Sequence, residues 1–236
     1  MLYSYWGSYI IIIPGLLLTM LAQFLVSSTY SRYSKIAAKS GWTADEISKR
    51  LLAQNGCNVR VAPIAGNLTD NYNPSNKVLS LSQTTYGRSS IAALGVAAHE
   101  VGHAVQDKRN YLPLRFRSFL VPVVNWGSRL AVPLLLIGLL VDFGAQATSF
   151  GGLFIDLAII AYSLATVFAL VTLPVEFNAS HRALKMLKNS GSLNAEELSG
   201  ARKVLTAAAM TYVASMFLSL LYLVRFIFIA SRFRRK

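Results

Sequence analysis

Long apolar stretches alternate with polar segments along the chain. Four stretches have the length of about 20 apolar residues that a helix needs to cross a bilayer, and they cover residues 9–26, 119–141, 153–174 and about 204–229. Polar segments separate the first stretch from the second and the third from the fourth. The pattern predicts a mainly α, multi-span integral membrane protein with a small α+β region on the membrane surface.

The first polar segment contains signals for helices and strands. A capping-box sequence at 43–46 predicts an amphipathic helix that ends at Asn55 and Gly56. Alternating apolar and polar positions at 58–64 and 77–82 predict two short strands around a turn-rich segment. Such a strand could hold a peptide by backbone pairing, or it could belong to a purely structural hairpin.

Composition supports the membrane assignment. Of the 236 residues, 54% are hydrophobic and only 14% are charged, which is too apolar for an ordinary soluble domain. The net charge of +13 is not accompanied by a nucleic-acid-binding motif, and the basic residues flank the apolar stretches. The single cysteine, Cys57, excludes an intrachain disulfide and a cysteine-based zinc cluster. We therefore expect a lipid bilayer as partner and no nucleic acid.

The distribution of Lys and Arg predicts the orientation. Residues 27–118 carry 12 of them and residues 175–203 carry five, whereas the loop between the second and third stretches carries none. By the positive-inside rule, both polar segments are cytoplasmic. The C-terminal tail, with four basic residues at 232–236, would lie outside after four full crossings. Either the rule is overridden there, or the last stretch returns the tail to the inside.

The segment His99-Glu100-Val101-Gly102-His103 carries the candidate chemistry. The surrounding small apolar residues predict a helix, capped by Ser89 or Ser90, on which residues four apart share one face. His99 and His103 can therefore bind one zinc ion while Glu100 acts as general base on a water molecule.

A catalytic zinc site requires a third protein ligand. Glu176, at the junction of the third apolar stretch and the basic segment, is the best placed candidate, and His181 is a weaker one. Two predicted spans separate Glu176 from the histidines, so both can lie on the same membrane face. Ser180 and Asn178 are candidates to orient the zinc histidines. The group that stabilises the oxyanion stays open among three residues, which are His181, Arg182 and Tyr212.

Several of these segments together resemble one family. The anchor and the sequences NYNPSNKVLSLS, SIAALGVAAHEVGHAVQ, LPVEFNASHRAL and AAAMTYVAS are similar to the YugP family of membrane zinc metallopeptidases over nearly the whole chain. The resemblance implies a gluzincin-like endopeptidase of the bacterial cell membrane that acts on peptides or proteins. It further implies one Zn2+ held by His99, His103 and Glu176, with Glu100 as the base. The placement of the site beside the membrane adds membrane proteins to the expected substrates.

Together these features predict five segments and leave two alternative functions. The alternatives are a site-2-type intramembrane protease and a non-catalytic zinc-binding membrane scaffold. The segments are 1–26, an N-terminal transmembrane anchor; 27–118, a zincin-like catalytic region with the sheet and the motif helix; 119–174, two spans; 175–203, the third-ligand helix and basic segment; and 204–236, the last apolar helix and basic tail.

Overall fold

Helices dominate the fold. The computed structural model describes residues 7–145 and 148–233. Its elements are a 3-10 helix at Ser8–Ile12, α1 (Ile13–Tyr33), α2 (Ala44–Gln54), β1 (Arg60–Ile64), β2 (Asn71–Asn73), β3 (Val78–Ser82), α3 (Ile91–Lys108), α4 (Leu112–Ala145), α5 (Thr148–Asn189) and α6 (Ala195–Phe233). The start of the predicted anchor and most of the basic tail lie outside the described residues.

Four of the described helices, α1, α4, α5 and α6, are long and apolar enough to cross a membrane. With the small sheet, they confirm the predicted mainly α class with an α+β region. The helices extend beyond the apolar stretches: α4 begins at Leu112, before residue 119, and α5 continues through Pro174 to Asn189. The apolar stretches therefore indicated the helices but not their ends.

The chain forms two compact units, which are described separately. The site unit comprises Ala22–Arg115 and Pro174–Thr211, and the span unit comprises the other described residues. In the span unit, α4, α5 and α6 share a small core that includes Leu135, Ile155 and Phe226. The core of the site unit is larger and surrounds α3 with apolar side chains from α2, β3, α5 and α6.

The motif helix α3 lies at the centre of the site unit. Fourteen of its 18 residues are buried, and most of those preceding His99 are alanines or other small residues. Small side chains allow neighbouring helices to pack close to α3 on several sides. Ser90 is the N-cap, and its hydroxyl accepts a hydrogen bond from the Ala93 N–H at 3.2 Å. The predicted capping of this helix is confirmed at Ser90.

The sheet has three strands in the order β1-β3-β2. The two predicted strands correspond to β1 and β3, and they pair in parallel, with Val61 opposite Leu79. A hairpin requires antiparallel neighbours, so the two predicted strands do not form a hairpin with each other. The segment that was expected to be only turns contains β2, which pairs antiparallel with β3. The predicted α2 helix is confirmed at Ala44–Gln54 with its capping box.

Candidate metal centre

Two imidazole rings and two carboxylates meet inside the site unit. One helical turn separates His99 from His103 on α3, and their rings lie edge to face with centroids 4.7 Å apart. His103 and Glu100 are each 9% exposed. Each of the three residues offers one ligand atom within 4.8 Å of the others. This arrangement can hold a metal ion.

Glu176 approaches the same histidines from α5. Its Oε2 atom lies 3.2 Å from Nε2 of His99 and 3.6 Å from Nε2 of His103. Bonds of 2.0–2.2 Å in a tetrahedral zinc site place neighbouring ligand atoms about 3.4 Å apart. The observed separations match that spacing, and the two nitrogens and one carboxylate oxygen are donors that zinc accepts. The residues present therefore fit a zinc ion.

Glu100 differs from Glu176 in its surroundings. Burial raises the pKa of the Glu100 carboxyl above its ordinary value, while the adjacent His103 and His99 oppose that shift. A carboxylate with a raised pKa is a better proton acceptor than an exposed one. Burial also acts to raise the pKa of Glu176, but its contacts with His103 and His99 outweigh burial and lower that pKa. The two carboxylates beside the histidine pair thus differ in their surroundings.

Each histidine also has a partner on the ring nitrogen that faces away from Glu176. The Ser180 hydroxyl lies 3.1 Å from Nδ1 of His99, and Oε1 of Gln106 lies 3.0 Å from Nδ1 of His103. Ser180 was expected in this role from the sequence, and Gln106 was not. Gln106 is fully buried on the same face of α3 as the two histidines, three residues after His103. A polar residue at that spacing was the signal in the sequence.

The remaining candidates lie elsewhere. Oδ1 of Asn178 accepts hydrogen bonds from Gln106 and Arg182. His181 is exposed, whereas His99, Glu100, His103 and Glu176 are buried or half-buried. Tyr212 belongs to the span unit. The structure thus brings together the four residues predicted for the site, which are His99, Glu100, His103 and Glu176.

Comparison with known proteins adds independent information. Residues 8–231 match the family described as "Putative neutral zinc metallopeptidase". Among curated proteins, the chain is 45% identical over 218 residues to the "Putative membrane protease YugP" of Bacillus subtilis (strain 168), and the match covers 92% of this chain and 93% of that protein. No solved structure matches.

Proposed function

The chain belongs to the family described as putative neutral zinc metallopeptidases, and on that premise we propose that it is a membrane-embedded zinc endopeptidase. The observation that carries the proposal is the convergence of two histidines from α3 and one glutamate from α5 at zinc-ligand spacing. His99, His103 and Glu176 would hold one Zn2+ in a gluzincin-like ligand set. Three protein ligands leave a fourth position for water, as catalytic zinc requires.

When bound, zinc supplies a Lewis acid that polarises the scissile carbonyl and lowers the pKa of water toward about 7. Glu100 is the residue proposed to move the protons. Its buried carboxylate accepts a proton from the attacking water and delivers it to the leaving amine. Burial, which raises the pKa of Glu100, makes its carboxylate a better acceptor for the proton of the attacking water.

The location of α3 bears on the intramembrane alternative. The four described helices that are long and apolar enough to cross a membrane do not include α3. Burial of α3 within the core of the site unit accounts for its apolar residues without insertion into lipid. This favours a catalytic region at the membrane surface over a site-2-type protease.

The proposed location is the bacterial cell membrane, with the site on the cytoplasmic side. Four apolar helices and the similarity to a protein named as a membrane protease support the membrane part. The excess of basic residues in the polar segments supports the cytoplasmic part. Proteins or peptides near that surface, membrane proteins among them, are the proposed substrates.

Cleavage profiling tests the function. Membrane and soluble proteomes are incubated with purified wild type, Glu100→Gln or Glu196→Gln, and new N-termini are counted. Glu196 is an exposed carboxylate at the start of α6, so its variant controls for the loss of one negative charge. We expect Glu100→Gln to reduce cleavage by about 10²–10⁴-fold, the usual contribution of a general base, and Glu196→Gln to behave as wild type. Identical profiles for wild type and Glu100→Gln would refute the peptidase proposal.

A further inference from the structure

We propose that Gln106 is a positioning residue that, with Asn178 and Arg182, fixes which nitrogen of His103 carries the proton. The role of this arrangement, which is to orient a zinc ligand, rests on the proposed zinc site. The arrangement itself rests on a series of hydrogen bonds whose donors and acceptors can be assigned in only one way.

The series begins at Arg182 on α5. A guanidinium can only donate hydrogen bonds, and Nε of Arg182 lies 2.7 Å from Oδ1 of Asn178. The atom of Asn178 that faces Arg182 must therefore be its oxygen. This contact fixes the orientation of the Asn178 amide, which would otherwise be ambiguous between oxygen and nitrogen.

The second step is the Gln106 amide. Its Nε2 lies 3.1 Å from Oδ1 of Asn178 and 2.8 Å from the carbonyl oxygen of Val175. Both neighbours can only accept, so the NH2 group of Gln106 must face them. The Gln106 oxygen consequently faces the other way, toward His103. Because Gln106 is fully buried, water does not compete for these contacts.

The third step sets the histidine. Oε1 of Gln106 lies 3.0 Å from Nδ1 of His103 and can only accept, so Nδ1 must carry the proton. In a neutral ring the lone pair is then on Nε2, which lies 3.6 Å from Oε2 of Glu176. Two acceptors face each other at that distance, an arrangement that a cation between them would stabilise.

His99 provides a contrast within the same site. Its Nδ1 contacts the Ser180 hydroxyl, which can donate or accept, whereas its Nε2 lies 3.2 Å from Oε2 of the Glu176 carboxylate, which can only accept. In the metal-free protein, the proton of a neutral His99 ring is therefore on Nε2, the opposite nitrogen from that of His103.

Gln106 also connects α3 to α5. The carbonyl group that accepts its hydrogen bond belongs to Val175, which immediately precedes Glu176. One side chain thus joins the second histidine of α3 to the backbone beside the glutamate of α5.

Nitrogen-15 NMR of histidine-labelled, metal-free protein tests the inference directly, at a pH where the imidazoles are neutral. Signals are assigned by removing one histidine at a time. We expect His103 to be protonated at Nδ1 in wild type and in Asn178→Asp, whose carboxylate still accepts from both donors. In Gln106→Leu we expect the proton to shift to Nε2, where Glu176 can accept it. Nε2 protonation in wild type, or an unchanged tautomer in Gln106→Leu, would overturn the inference.

Zinc affinity, measured by competition with a chelator, gives a second readout. Loss of a residue that orients a metal ligand typically weakens metal binding by about 10–100-fold, and we expect that loss for Gln106→Leu but not for Asn178→Asp. Ser48→Ala is the matched control, because it removes another buried hydrogen bond, to Ala44, away from the site. An equal loss of zinc affinity in Ser48→Ala would show that the effect is general destabilisation and would overturn the proposal.

The outcomes separate this inference from the proposed function. A wild-type protein with the Nδ1 tautomer that binds zinc but cleaves no protein would contradict the peptidase and support the role of Gln106. An active peptidase with His103 protonated at Nε2 would do the reverse.

Discussion

At the scale of single residues, the candidate centre depends on how closely the backbone of α3 approaches that of α5. A Cβ atom built on Gly102 would lie 2.6 Å from the carbonyl oxygen of Ala179. Gly102 immediately precedes His103, and Ala179 immediately precedes Ser180. Glycine therefore permits the contact that brings the two histidines within reach of Glu176.

Replacing Gly102 with alanine should separate the two helices. A contact at 2.6 Å with backbone cannot be relieved by a side-chain rotation, and overpacking of this kind typically costs about 1–3 kcal/mol. We expect a lower melting temperature and weaker zinc binding. Gly95→Ala, on the same helix, is the control, since its Cβ would lie at an ordinary 3.5 Å from Cβ of Ala201. Equal behaviour of the two variants would contradict the close-approach account.

The residues of the site were largely readable from the sequence, and their supports were less so. Helical spacing predicted that His99 and His103 share one face, and ligand chemistry selected Glu176. Gln106 was missed, because its role depends on which acceptors α5 presents to it. The spacing from His103 could have marked Gln106 as a candidate, but its partners on α5 come from the packing of segments distant in sequence, which a local pattern does not encode.

At the scale of secondary-structure elements, β2 is attached to the motif helix through Tyr72. The Tyr72 hydroxyl donates a hydrogen bond to Oδ2 of Asp107 at 2.6 Å, and Lys77 contacts the same oxygen. Burial raises the pKa of the Tyr72 phenol, and the hydrogen bond to Asp107 and its negative charge raise it further. The protonated phenol is thus the form that fastens the sheet to the end of α3.

We expect Tyr72→Phe to lower stability by about 1 kcal/mol near neutral pH, the usual net value of one hydrogen bond. The folded-state pKa is raised, so the contribution of Tyr72 is complete below the unfolded pKa of about 10 and declines as pH rises above it. Melting temperatures of both proteins across this range provide the measurement. The difference between them should shrink above pH ~10; a constant difference would argue against the assignment.

Element types were easier to predict than their pairing and length. The alternating positions located β1 and β3, and the capping signals located α2 and α3. The parallel pairing of β1 with β3 was not predictable. It depends on β2, which follows β1 in the sequence but pairs on the other side of β3, and β2 lies in a segment rich in turn residues. The continuation of α5 past Pro174 was missed because a proline usually ends a helical pattern.

At the scale of the whole molecule, charge is distributed unevenly along the chain. Residues 27–118 and 175–203 together hold 17 of the 23 Lys and Arg residues. The site unit is built almost entirely from these two segments. If the positive-inside rule governs insertion, the site unit faces the cytoplasm.

Labelling with a membrane-impermeant thiol reagent tests this orientation. Cys57 is replaced with serine, and a cysteine is introduced at the exposed Ser75, in the turn between β2 and β3. We expect labelling only after the cells are opened. A second variant, with a cysteine after Lys236, shows on which side of the membrane the tail lies. The charge pattern does not decide between the two sides. Labelling of Ser75→Cys in intact cells would place the site unit outside and contradict the cytoplasmic proposal.

The central claim is that α3 and α5 hold one zinc ion through His99, His103 and Glu176, with Glu100 free to act as the base. Zinc content per chain, measured on purified wild type, Glu176→Ala and Glu100→Gln, tests it most directly. We predict one zinc in wild type and in Glu100→Gln, and loss of zinc in Glu176→Ala. Loss of zinc in Glu100→Gln would instead make Glu100 a ligand of a closed structural site, and full zinc retention in Glu176→Ala would contradict the ligand set.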